Sequence, residues 1–67
     1  MMNTYDLIFH DREGLLDSVL SFNDRDTALE SFRLFDEPDS SEIYSRISLW
    51  EYSCGTGDYT QIRMMAF

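Results

Sequence analysis

The stretch Ile43-Tyr44-Ser45-Arg46-Ile47-Ser48-Leu49-Trp50-Glu51-Tyr52, with its continuation Tyr59-Thr60-Gln61-Ile62-Arg63-Met64-Met65-Ala66-Phe67, decides the fold. Both runs alternate and are rich in β-branched and aromatic residues, and Cys54-Gly55-Thr56-Gly57 between them offers a four-residue loop. The whole segment therefore reads as a β-hairpin. A loop of that length sets Tyr52 opposite Tyr59, Trp50 opposite Gln61, Leu49 opposite Ile62, Ile47 opposite Met64 and Ser45 opposite Ala66. One face is then aliphatic, with Ile47, Leu49, Ile62 and Met64. The other carries Tyr44, Arg46, Trp50, Tyr52, Tyr59, Arg63, Met65 and Phe67. Side chains alternate with a period of two, so one bulge would exchange the faces beyond it.

Upstream, Asn3 to His10 and Leu15 to Phe22 alternate on either side of Asp11-Arg12-Glu13-Gly14, whose glycine can take the positive φ that closes a short hairpin. A four-residue loop there pairs Phe9 with Leu16, Leu7 with Ser18, Tyr5 with Leu20 and Asn3 with Phe22. The apolar residues of both strands share one face, and Asp6, Ile8, His10, Leu15, Asp17 and Val19 form a mixed surface opposite. Asn23 and Asp24 then provide N-caps, and Asp26 suits the positive end of a helix dipole. Ala28, Leu29, Phe32 and Phe35 recur at helical spacing, so a helix to about Phe35 lies on the sheet, with Leu34 off its stripe. Asp36, Glu37 and Pro38 end it. Asp39, Ser40 and Ser41 complete a polar loop.

These elements predict a single α+β domain over residues 1–67 with β-β-α-β-β order: a four-stranded, mainly antiparallel sheet with one helix packed on one face. The expected core is Leu7, Phe9, Leu16, Leu20, Phe32, Phe35, Ile47, Leu49, Ile62 and Met64. The second sheet face is left without a cover from the same chain.

A domain of 67 residues buries only about 60% of the surface its unfolded chain exposes. With a single cysteine, Cys54, and a single histidine, His10, the chain has no intrachain disulfide and no Cys/His zinc cluster to brace that small core. Oligomerisation is the staple left. Thirteen acids face five arginines and no lysine, a net charge of −8. Direct nucleic-acid binding is disfavoured, since clustered Lys and Arg supply most of its affinity, and a basic partner is favoured. No run approaches the ~20 apolar residues of a membrane span, and no charged n-region precedes an apolar segment. A cytoplasmic protein with a free thiol is expected.

No chemistry-bearing motif appears. Asp24, Asp26 and Glu30 lack the turn glycine of a calcium loop and have helix-start character; Asp36, Glu37, Asp39 and Glu42 read as a solvated acidic loop, so no metal or cofactor is expected. His10 and Cys54 have no accompanying oxyanion loop, and no enzyme is expected. Two constellations stand out. The first is the aromatic face of Tyr44, Arg46, Trp50, Tyr52, Tyr59, Met65 and Phe67, made of residue types enriched at interface centres. The second is the carboxylate band Asp24, Asp26, Glu30, Asp36, Glu37, Asp39 and Glu42, which holds seven of the thirteen acids. Carboxylates on a rigid frame share the charge sign and acceptor-only hydrogen bonding of phosphates. Set against these readings are a partly buried sheet face covered by loops or by the amino-terminal residues, and the solvated outer side of an amphipathic helix.

In size, acidity and a single helix on a small antiparallel sheet, the chain resembles the small inhibitors carried by phages and mobile elements, anti-CRISPR proteins and other DNA mimics among them. The resemblance is one of overall plan and involves no shared motif. It implies a non-enzymatic protein that binds a basic protein or nucleoprotein complex and blocks its DNA site. The alternative is a structural or accessory module that homodimerises through the aromatic face. Salt separates the two, because electrostatic mimicry weakens with ionic strength and an apolar interface barely responds.

Overall fold

The computed structural model describes residues 3–67. In chain order the elements are β1 (Thr4–Asp11), β2 (Leu16–Phe22), α1 (Arg25–Leu34), α2 (Ser40–Ile43), β3 (Tyr44–Tyr52) and β4 (Tyr59–Ala66). They build an α+β fold, an open four-stranded sheet of order β2-β1-β3-β4 with every neighbouring pair antiparallel and α1 across one face. The two hairpins meet through β1 and β3. Those strands carry Tyr5, Leu7, Phe9, Ile47 and Leu49, which with Ala28 form the buried core. β2 and β4 take the edges.

Asp24 caps α1 as its sequence suggests: its carboxylate accepts from the Thr27 N–H at 2.9 Å. Fully buried Ala28 lets the helix approach the sheet closely. Both helix ends are tied down. At the start, Arg25 lies 3.6 Å from the Glu51 carboxylate, which also accepts from the Tyr5 hydroxyl at 2.8 Å. At the end, Phe35 meets Phe9 edge to face with ring centroids 4.8 Å apart. The polar loop expected after Pro38 instead contains the single turn α2, nucleated by the Ser41 N–H and Oγ, which both donate to the Pro38 carbonyl.

The hairpin turns differ in how closely they follow the loop counts. The Cys54–Gly57 loop forms as counted, with Gly57 at φ 78°, and pairs Tyr52 with Tyr59 and Trp50 with Gln61. Beyond Trp50 the register shifts: Ile62 is an extra residue on β4, so Leu49 faces Arg63, Ser48 faces Met64 and Ile47 faces Met65. Met65, assigned to the aromatic face, therefore packs on the core, while Met64, assigned to the core, is 48% exposed on the other side.

In the first hairpin the Asp11 N–H donates to the Leu15 carbonyl at 2.8 Å, leaving a three-residue loop that ends on Gly14 at φ 84°. This one-residue slip puts Leu16 opposite His10 on the uncovered face, 63% exposed. Asp17 is then the extra residue, and parity returns with Ser18 opposite Phe9, Leu20 opposite Leu7 and Phe22 opposite Tyr5. Leu20 keeps the helix side but, on an edge strand, is 46% exposed and not core. A third irregularity, at Ser45 where Asp11 faces Tyr44, turns Tyr44 inward: its ring lies 5.0 Å from Phe9, not on the aromatic face to which it was assigned. Partly buried Phe22, Leu29, Phe32, Phe35 and Ile62 complete the core margin.

Candidate functional site

Two surfaces, on opposite sides of the sheet, gather most of the residues singled out in the sequence. The open side is built by the outward residues of all four strands. At its centre the Trp50 indole lies down along β3, its Nε1–H donating to the Ser48 hydroxyl at 3.0 Å, and this leaves Ser48 only 2% exposed. Tyr59 stacks over that indole, with centroids 5.1 Å apart and planes 8° from parallel. Its hydroxyl reaches across to β1 and donates to the Asp6 carboxylate at 2.7 Å, and Ser21 donates to the same carboxylate at 2.9 Å. Burial and the Asp6 carboxylate together push the Tyr59 phenol up to about 12. Tyr52 tilts against Tyr59 at 6.4 Å.

Beside this stack runs an open groove of about 420 Å3 between Ile8, His10, Leu16, Arg46, Trp50 and Tyr59. At its far end Arg46 donates to His10 Nε2 at 3.2 Å. That bond makes Nε2 the acceptor and leaves Nδ1 with the proton, buried and without a partner among the described residues. Of the aromatic-face residues read from the sequence, Arg46, Trp50, Tyr52 and Tyr59 share this side. Phe67 follows β4, its N–H bonded to the Ser45 carbonyl and its side chain 40% exposed. Ile8 lies on this face as its strand parity indicates, and Leu16 and Met64 join it unforeseen because of the register shifts.

The helix layer carries the acids. Asp24, Asp26, Glu30, Asp36, Glu37, Asp39 and Glu42 are all exposed. Asp26 and Glu30, four apart on α1, are neighbours on one helix face. Among the described residues the one ion pair is Arg25 with Glu51, and none of the seven takes part. Asp24 alone has a structural role, as the helix cap, and the Thr27 N–H and hydroxyl bonds hold its carboxyl below the usual carboxylate range. Arg12 reaches over to the Ser41 carbonyl at 2.7 Å and brings the first hairpin turn alongside α2. Exposed Glu13 thereby extends the acidic band, a neighbour no periodicity could have indicated.

Among the described residues no three His, Cys, Asp or Glu side chains are grouped to hold a metal ion. His10 and Cys54 lie at opposite ends of β3, separated by roughly 20–25 Å at about 3.3 Å per strand residue, so they do not form a base and nucleophile pair. Among the described residues no helix is long and apolar enough to cross a membrane. Compared with protein-family models, curated proteins and solved structures, the chain matches none.

Proposed function

We propose that this chain is a non-enzymatic, acidic protein-binding inhibitor that occupies a basic, nucleic-acid-binding surface of a target complex, in the manner of anti-CRISPR proteins and other DNA mimics. The observation that carries the reading is the helix layer: seven exposed carboxylates on one small frame, none of them neutralised by an ion pair among the described residues. The six other than the helix cap Asp24 can accept charge-assisted hydrogen bonds from Arg and Lys of a partner, as phosphates do. Their summed field steers a cationic partner toward this side, and the target's own nucleic acid is excluded by occupancy.

The test is capture from nuclease-treated host extract on the immobilised chain at low salt, followed by a DNA-binding competition with the captured complex. The parent should retain a basic nucleic-acid-handling protein, release it as salt rises, and displace its DNA. The double variant Glu37→Lys/Asp39→Lys should do none of these. Equal capture and equal DNA displacement by parent and variant would remove the acidic layer from the mechanism.

A further inference from the structure

We infer that the open sheet face binds a second copy of this chain, giving a two-fold dimer in which the sheets stack and the acidic helix layers point outward. Such a dimer is independent of the inhibitor reading. The molecule measures 38 × 21 × 15 Å, so its broad side is roughly 800 Å2, about what each partner contributes to a standard protein interface. On that side Leu16, Tyr52, Tyr59 and Met64 are exposed beside the partly covered Ile8 and Trp50. An apolar field of this kind on so small a domain is both available for burial and useful to stability.

Charge selects the occupant. A chain of net charge −8 repels its own copy wherever the acids lie. The open face is different, because the charges at its centre are one carboxylate, Asp6, and one guanidinium, Arg46, bonded to His10. Two copies can meet there with their acidic layers held apart by both sheets. The sheet edges offer no equal route. Both edge strands are broken by an extra residue, Asp17 in β2 and Ile62 in β4, and bulged edges resist continuous strand addition.

The charges also choose the axis. Asp6 faces Trp50 while His10 faces Arg46, so the negative and positive groups sit four residues apart along β1, roughly 13 Å at strand rise. A two-fold axis parallel to the strands would stack Asp6 on Asp6 and Arg46 on Arg46. An axis crossing the strands reverses their direction and lays each Asp6 end over the partner subunit's Arg46, an isologous and charge-complementary contact.

Sedimentation of the full chain from micromolar to near-millimolar concentration, at low and high salt, tests this. The parent should dimerise, and added salt should hold or strengthen the dimer by screening the net charge. Met64→Glu, at a site exposed in the single chain, should leave circular dichroism unchanged and weaken dimerisation by about tenfold or more. Arg46→Glu should weaken it comparably, whereas Leu34→Glu, 70% exposed in α1, should leave it intact. A parent that stays monomeric at near-millimolar concentration, or a dimer indifferent to Met64→Glu, overturns the inference. Loss with Met64→Glu but not with Arg46→Glu overturns the strand-crossing axis.

Discussion

Asp24 and Tyr59 show how single side chains tie this small structure to pH in opposite directions. The Asp24 carboxylate is held ionised chiefly by the Thr27 N–H, then by the Thr27 hydroxyl, so its folded pKa lies below its unfolded one. A depressed acid of this kind stabilises fully above the unfolded pKa and loses that contribution as pH falls through the folded value. Asp24→Asn keeps an acceptor for the cap but no titrating group, so its thermal midpoint should fall less steeply on acidification than the parent's. Asp24→Ala should melt lower than Asn at every pH. Identical acid slopes for Asn and parent would show that the cap charge is not coupled to folding. Tyr59 has the reverse sign. Its phenol is pushed up to about 12, first by burial and then by Asp6, so its contribution is complete below the ordinary phenol range and is lost as pH rises toward that value. Tyr5 is raised as well, first by its bond to Glu51. Tyr5 and Tyr59 should therefore ionise late in an absorbance titration, and Tyr59→Phe should reduce the late-ionising amplitude by one tyrosine. A late-ionising amplitude undiminished in that variant would mean that the Tyr59 phenol is not held by Asp6.

At the scale of elements, the three register shifts separate inside from outside. Met65→Asp, on the core margin, should cost roughly 1–3 kcal/mol by placing a polar group among apolar ones, while Met64→Asp should leave the denaturation midpoint of the single chain nearly unchanged. The reverse order would restore the unbulged register. Phe9→Ala, which removes the ring that touches Phe35 and Tyr44, should cost about 3–5 kcal/mol and unfold most of the domain; Phe32, only partly buried, should cost less. The element order, the helix with its Asp24 cap and the Cys54–Gly57 loop were all legible, because periodicity, capping and turn chemistry agree there. The misplacements fall where adjacent positions are nearly interchangeable in hydrophobicity: Leu15 and Leu16, Ile43 and Tyr44, Met64 and Met65. Either member of such a pair can face inward, so the pattern leaves the register open: the Asp11–Leu15 turn bond decides the first pair, and the extra residues Ser45 and Ile62 within the strands decide the other two. Strand order was not legible either. It depends on which strands meet back to back so that Leu7 and Phe9 of β1 lie beside Ile47 and Leu49 of β3, a property of the assembled sheet and not of either hairpin.

For the whole molecule, the acids that suit a basic partner also work against folding. Seven carboxylates crowd the helix layer of a chain with net charge −8, and the ion pair Arg25–Glu51 involves none of them. Their mutual repulsion is relieved in the expanded unfolded chain, so compaction concentrates like charge. Added salt should accordingly raise the thermal midpoint by screening that repulsion, even as it weakens any contact with a cationic target. Replacing Glu37 and Asp39 with lysine lowers the charge excess by four and touches no hydrogen bond made by either carboxylate among the described residues. That variant should fold at least as stably as the parent, with a shift of no more than about 0.5 kcal/mol because exposed sites contribute little, while its association with a basic target slows and weakens. A variant that lost stability and binding together would instead make these carboxylates structural. Stability held or gained with binding lost is the signature of charges kept for a partner at the expense of the fold.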